Sequence, residues 1–278
     1  MSKDSKIEWT HHTFNPWWGC VKVSPACKNC YAESWSRRVG KKLWGAKSER
    51  RFFSDHHWYE PIKWNELAKL NGKRSRVFCA SMSDVFEARA ELHKPRERLW
   101  ELIEKTPWLD WLLLTKRPQN ISIYSPWERW PSNVWLGTTA ETSKWANERI
   151  DELVSNDAVI HFISAEPLLG KINLNKWFED ETLDWVIAGG ESGPKARPTR
   201  PFWVRDLRDQ CEEYGVPFHF KQWGHWAPKM PPPLKKVRTI NLGTKDGEIE
   251  TLFALGKKAA GRQLDGRKWD GVPTDAYQ

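Results

Sequence analysis

The run Trp111-Leu112-Leu113-Leu114-Thr115, closed by Lys116 and Arg117, lacks the alternating polar residues of a strand with one wet face. Unbroken apolarity over a run this short, ended by cations, reads as a strand buried on both faces, as in a parallel sheet covered by helices. Similar runs flank it: Arg76-Val-Phe-Cys-Ala80 before, then Asn133-Val-Trp-Leu-Gly137, Val159-Ile-His-Phe-Ile-Ser164, Asp184-Trp-Val-Ile-Ala188 and Pro217-Phe-His-Phe-Lys221. Between them apolar residues recur at helical spacing. Pro95 to Lys105 carries Leu99, Leu102 and Ile103 on one side, Ser143 to Val154 carries Trp145, Ile150 and Leu153, and Pro201 to Tyr214 carries Val204, Leu207 and Cys211. Strands alternating with helices in this way predict an α/β fold, a full or partial parallel (β/α) barrel.

The residues just beyond these strands are polar. In order they are Ser81, Ser83 and Asp84; Thr115, Lys116 and Arg117; Thr138, Thr139 and Glu141; Ser164 and Glu166; Gly189, Gly190, Glu191 and Ser192; and Lys221, Gln222 and Trp223. In a parallel barrel all strands end on one rim, where catalytic groups gather. Each residue alone also fits a helix cap or a solvated surface group. Glu166 before Pro167 and Glu191 after two glycines are the better candidates, because a carboxylate at a strand end can orient an amine or hydroxyl and glycines admit a ligand to the backbone. Lys116 and Arg117 offer cations to a carboxylate or phosphate.

Nearer the N-terminus runs Gly19-Cys20-Val-Lys-Val-Ser-Pro-Ala-Cys27-Lys-Asn-Cys30-Tyr31. A structural zinc site closes its tetrahedron with four protein ligands. A four-iron, four-sulfur cluster on three cysteines leaves one iron open to a substrate or cofactor. Zinc completed by a histidine is the competing reading, with His11, His12, His56 and His57 on either side of the thiols; neighbouring histidines on a strand face opposite ways, so at most one of each pair reaches in. Cys79 and Cys211 sit in apolar surroundings and read as small buried hydrophobes. Five cysteines without a disulfide-like framework or an apolar leader predict a reducing, cytoplasmic setting.

The 278 residues suit one large domain with elaborations, and the net charge of +8 favours a polyanionic partner, nucleic acid first. Arg37, Arg38, Lys41, Lys42, Lys47, Arg50 and Arg51 face a single acid in their stretch, Glu49. The chain has 20 tryptophans, and aromatics set among Lys and Arg can stack bases; Trp111, Trp135 and Trp185, opening apolar runs, read as core. No apolar run is long enough to span a membrane. The expected organisation is a barrel with its N-terminal cysteine loop over 1–227, then a basic appendage over 228–278 entered through Pro231-Pro-Pro233. Lys229 to Lys268 holds ten Lys and Arg against four acids. Nothing in the sequence sets an oligomeric state.

Over nearly its whole length the chain resembles the phage Gp37/Gp68 family. The matching segments are Ile7-Glu-Trp-Thr10 with Asn15-Pro16, the Gly19 to Glu33 stretch, Ser81-Met-Ser-Asp84, Leu114-Thr-Lys-Arg-Pro118, Ser164-Ala-Glu-Pro-Leu-Leu-Gly170, Gly189-Gly-Glu-Ser-Gly193, Phe220-Lys-Gln-Trp-Gly224 and Gly256-Lys-Lys-Ala-Ala-Gly-Arg262. The resemblance implies kinship with radical S-adenosylmethionine enzymes and, more distantly, with the spore photoproduct lyase type, which repairs a thymine lesion. It implies a 4Fe-4S cluster on Cys20, Cys27 and Cys30, S-adenosylmethionine on the open iron, an external electron donor such as flavodoxin or ferredoxin, and a nucleic acid or nucleotide-like substrate. In such enzymes reductive cleavage of the sulfonium yields a 5′-deoxyadenosyl radical that abstracts hydrogen. On that basis Ser81, Ser83 and Asp84 are expected beside the methionine group and Lys116 or Arg117 on its carboxylate. Thr115, Thr138 and Glu141 complete the expected cofactor site, Glu166 and Glu191 lie nearer ribose or substrate, and Cys79 is a candidate hydrogen donor. The chain departs from the usual pattern in its long first gap of six residues, in Asn29 where an aromatic is usual, and in a Gly-Gly-Glu far downstream of the cysteines. On the residues alone two other classes stay open: a zinc-stapled nucleic-acid-binding protein without catalysis, and a metal-independent hydrolase with Glu166 and Glu191 as paired carboxylates.

Overall fold

The computed structural model describes residues 5–230, 236–243 and 249–273. Its elements follow the order β1 (His12–Phe14), α1 (Tyr31–Arg38), α2 (Asp55–Leu70), β2 (Ser75–Cys79), α3 (His93–Glu104), β3 (Leu109–Thr115), α4 (Ile121–Tyr124), β4 (Val134–Thr139), α5 (Ser143–Val154), β5 (Ile160–Ala165), α6 (Asn175–Glu179), β6 (Trp185–Gly189), α7 (Pro201–Glu213) and β7 (Phe218–Gln222). The seven strands pair in parallel, in chain order from β1 to β7. When each strand lies beside its chain neighbour, right-handed crossovers put every helix on one face and the sheet curls around the other. β1 and β7 are the edges, so the result is a curled half-barrel.

Side chains alternate across this sheet. Val77, Cys79, Trp111, Leu113, Val134, Leu136, Ile163 and Val186 enter the helix-facing core with Leu99, Ile103, Ile150, Val204, Leu207 and Cys211. Phe78, Leu112, Trp135, Phe162, Trp185 and Ile187 form a second core on the opposite face with Trp9. Both sides of each strand are dry, which is why the strands read as unbroken apolar runs. Each such side chain contributes about 1.5–3 kcal/mol when fully buried. Trp9 packs against Phe78 and Trp185, with centroids 4.6 and 6.1 Å away, so an aromatic layer fills the inside of the half-barrel below its rim.

Beyond β7, β8 (Trp226–Ala227), β9 (Thr239–Gly243) and β10 (Ile249–Ala254) form a small antiparallel sheet ordered β8-β10-β9, followed by α8 (Lys257–Ala260). This sheet straddles the boundary expected at residue 227. The chain then returns to the barrel: Gly271 N–H donates to Phe218 O (3.0 Å), Trp185 Nε1 to Gly271 O (2.8 Å) and Trp223 Nε1 to Gln263 O (2.8 Å), while Leu264 enters the main core. Pro231 to Pro233 lie outside the described residues. No helix among the described residues is long and apolar enough to cross a membrane.

Candidate cofactor and active site

From β1 the chain runs along the rim formed by the strand C-termini. Asn15 ties it there, accepting the Met82 N–H (2.6 Å) and donating to Ser81 Oγ (3.1 Å). Gly19 follows at φ +114°, where an added Cβ would lie 2.6 Å from Leu43 O, so a side chain is excluded by both conformation and space. Cys20 bridges to Trp44, Cys27 ends a 3-10 turn that Pro25 opens, and Cys30 is the N-cap of α1. All three thiols line one cavity at the mouth of the half-barrel, with about 840 Å³ of empty space, open solvent at its mouth included. Burial pushes the Cys20 thiol up to about 12 against the pull of Arg117, and it raises Cys30 against backbone N–H groups of Glu33 and Ala32.

Three ion pairs on the rim hold the cysteine loop. Arg117 pairs with Asp84 (2.7 Å), donates to Val21 O (2.8 Å) and lies 3.7 Å from Cys20 Sγ. Asp84 also accepts from Thr115 Oγ1 (2.7 Å) and Lys116 N–H (3.1 Å). Against the cost of burial, Arg117 and these donors hold the Asp84 carboxyl below the usual carboxylate range. Glu141 and Arg149, 0% and 3% exposed, pair at 3.0 Å, and Glu141 accepts the Ala26 N–H (3.1 Å). Glu191 pairs with Arg197 (2.5 Å) and accepts from Asn29 Nδ2 (2.9 Å). Its carboxyl too is held low against burial, chiefly by Arg197. An added Cβ on Gly190 would lie 2.0 Å from Trp223 O, so glycine there lets the loops after β6 and β7 cross where Glu191 is positioned.

The cavity wall carries a different set. Lys116 Nζ donates to Thr139 Oγ1 (3.0 Å), Lys221 pairs with Glu166 (2.8 Å), and Tyr31 Oη donates to Ser81 O (3.0 Å). Thr115 and Ser83 also line it. The Ser83 hydroxyl and the Trp9 indole N–H are buried with no hydrogen-bond partner among the described residues. The structure thus separates the rim residues expected at one site. Asp84, Ser81, Ser83, Thr115, Lys116, Arg117 and Glu166 line the cavity, whereas Glu141 and Glu191 lie outside its wall and brace the loop. Thr138 is buried, its hydroxyl donating to Thr115 O (2.9 Å). Cys79 faces the helices, and burial raises its thiol. Tyr31, Trp9, Asn29, Arg149, Arg197 and Lys221 complete the arrangement. Of these, sequence signalled Tyr31 through its place beside Cys30 and Lys221 through its place on the rim.

Residues 4–273 match a family-wide sequence profile. The chain belongs to the family described as protein of unknown function, DUF5131. No curated protein matches it. Among solved structures it is similar to a spore photoproduct lyase variant with dinucleoside spore photoproduct, at 13% identity and TM-score 0.45, covering 91% of this chain and 70% of that one. It is also similar to a second spore photoproduct lyase variant, at 12% identity and TM-score 0.46, with the same coverage.

Among the described residues of this DUF5131 chain, no three His, Cys, Asp or Glu side chains gather closely enough to hold a single metal ion. The histidines weighed as zinc ligands do not line the cavity. His11 Nδ1 accepts the Arg76 N–H (2.8 Å), His12 stacks on Trp64, His57 Nε2 lies 2.8 Å from Asn15 O, and the side chain of His56 is exposed. Three soft thiol donors spaced around one cavity, with unpartnered buried Ser83 and Trp9 polar atoms in its wall, fit an iron-sulfur cluster held at three corners. Glu166 and Glu191 do not share this cavity, as a hydrolytic pair would.

Proposed function

We propose that the protein is an iron-sulfur enzyme of the radical S-adenosylmethionine type, with a 4Fe-4S cluster on Cys20, Cys27 and Cys30, acting on a nucleic acid or nucleotide-like substrate. The observation that carries this reading is the sharing of one cavity by three thiols and Ser83, Lys116, Glu166 and Lys221 at the mouth of a parallel half-barrel. A cluster held by three protein thiolates supplies one-electron reduction and one open coordination position, the electron coming from an external donor such as flavodoxin or ferredoxin. The chain's own groups do the rest. Lys116 presents a cation able to hold the S-adenosylmethionine carboxylate. Ser83 offers a free hydroxyl, and the Glu166–Lys221 pair, 14% and 15% exposed, offers an acceptor and a donor to ribose or substrate hydroxyls. Trp9 and the aromatic layer beneath it exclude water from below.

The test is iron, sulfide and zinc content of anaerobically purified protein, wild type beside the Cys20→Ala/Cys27→Ala/Cys30→Ala variant, with an assay for 5′-deoxyadenosine after reduction. About four irons per chain, lost in the variant, together with 5′-deoxyadenosine from wild type, are expected. Stoichiometric zinc after cluster reconstitution, with no 5′-deoxyadenosine, overturns the reading in favour of a zinc-stapled binding protein.

A further inference from the structure

We propose that the outer face of α1 and the basic segment after it form a binding surface for single-stranded nucleic acid leading into the cavity. This deepens the functional reading above by naming how its substrate class is held, and rests on that reading for its purpose only. α1 buries Ala32, Glu33 and Ser36 and turns Tyr31, Trp35 and Arg38 outward at successive turns of one face. Tyr31 and Trp35 are 54% and 40% exposed, large values for aromatic rings. Both are nevertheless held in place. Tyr31, in the cavity wall, is anchored through its hydroxyl to Ser81 O, and Trp35 packs edge-on against Trp18 at 4.9 Å, with Arg51 over the Trp18 ring at 4.5 Å. Exposed rings in fixed positions are what unpaired bases stack on.

The charges beside them divide into two groups. Arg37 is exposed but already paired with Glu33 (2.5 Å), whereas Arg50 is structural, buried against Glu87 (2.6 Å) while donating to Leu43 O (3.2 Å) and Ser48 O (2.8 Å). Arg38, Lys41 and Lys42 are exposed and make no ion pair among the described residues. Lys41 and Lys42 line a groove with Arg37, Trp44 and Glu33, the carboxylate of Glu33 being paired with Arg37 and Lys22, and Trp44 is also part of the cavity wall. A backbone of phosphates satisfies these cations while its bases meet Trp35 and Tyr31; an acidic peptide satisfies only the charges.

The test uses fluorescence anisotropy of fluorescein-labelled oligodeoxythymidylate and oligouridylate, with duplex DNA and polyglutamate as competitors. Trp35→Ala is expected to weaken single-strand binding roughly tenfold. Lys41→Ala/Lys42→Ala is expected to weaken it and reduce the slope of log affinity against log salt by about 1.4, at about 0.7 per phosphate contact. Because Trp35 packs on Trp18, thermal melts accompany that variant, and the exposed lysine pair supplies the independent arm. Unchanged affinity in the lysine variant, or competition by polyglutamate or duplex as strong as by single strands, overturns the proposal. Iron is measured in the same preparations. Strand binding by iron-free protein sustains the surface and counts against the radical reading, whereas iron-replete protein indifferent to single strands does the reverse.

Discussion

Lys116 and Arg117 stand side by side in sequence, yet the structure gives them separate tasks. Arg117 is nearly buried, neutralises Asp84 and grips the cysteine loop at Val21 and Cys20. Lys116 turns to the cavity, its Nζ donating to Thr139 Oγ1 and forming no ion pair among the described residues. Removing one partner of a buried pair leaves the other charge uncompensated. Arg117→Ala is therefore expected to cost on the order of 3 kcal/mol in chemical denaturation and to lower the iron retained after purification. Lys116→Ala should leave stability and iron unchanged while weakening S-adenosylmethionine binding roughly tenfold in equilibrium dialysis, the scale of one charge-assisted contact. Equal effects of the two substitutions on iron content would refute this division. Glu141 gives a parallel case: Glu141→Ala leaves Arg149 uncompensated in the core and removes the acceptor of the Ala26 N–H, so the Cys27 thiol should alkylate several-fold faster in metal-free protein. Combining it with Arg149→Leu should recover part of the lost stability, since both members of the pair are then gone.

At the scale of elements, β2 to β7 were legible because a strand covered on both faces has no polar positions to interrupt it, and α3, α5 and α7 because each buries one clear stripe. β1 was not, since three residues, His12 to Phe14, are too few to show a period. α2 was hidden by Pro61, which reads as a helix breaker but lies inside it. That Cys20, Cys27 and Cys30 come to one cavity was legible from their spacing, and that the strand ends share one rim followed from parallel strands. What spacing does not carry is which rim side chains turn inward. Ala26 meets Glu141 across 115 positions, and Asn29 meets Glu191 across 162. Such pairings are set by where two loops cross in space. The crossing at Gly190 tests this directly. A Cβ 2.0 Å from the Trp223 carbonyl forces backbone apart, so Gly190→Ala should destabilise by about 1–3 kcal/mol. It should also free Glu191 from Asn29, lowering iron retention, while Gly243→Ala, with open space around it and no left-handed backbone, should spare the cysteine loop. A Gly190→Ala protein with wild-type stability and iron would show that the crossing has slack.

For the molecule as a whole, β7 is held at the sheet edge by the returning C-terminal segment, and its His219 is 1% exposed beneath that segment. Arg262 Nη2 lies 3.3 Å from His219 Nε2, and Arg262 in turn pairs with Asp270. Burial first, then Arg262, with smaller contributions from Lys221 and Arg76, bring the His219 pKa from 6.5 down to about 4; Asp270 pulls the other way. Unfolding releases the ring to its ordinary value, so between pH 6.5 and 4 the unfolded chain binds the proton that the folded one refuses. The stability His219 confers is therefore complete above about pH 6.5 and is lost as pH falls towards 4. One such group gives a slope of about 1.4 kcal/mol per pH unit, or on the order of 3 kcal/mol across the window. His11, brought down to about 4, and His57 and His161, also held low by burial, add to the wild-type slope, while Asp110 and Asp184, raised by burial, work against it. Denaturant unfolding at pH 7, 5.5 and 4.5 should show this loss. His219→Gln keeps an acceptor for Arg262 without a titrating ring, and it should flatten the slope by about one proton, or about 1.4 kcal/mol per unit. An unchanged slope in that variant would mean that the C-terminal segment lifts away before His219 protonates, with acid stability then set by the segment's own release.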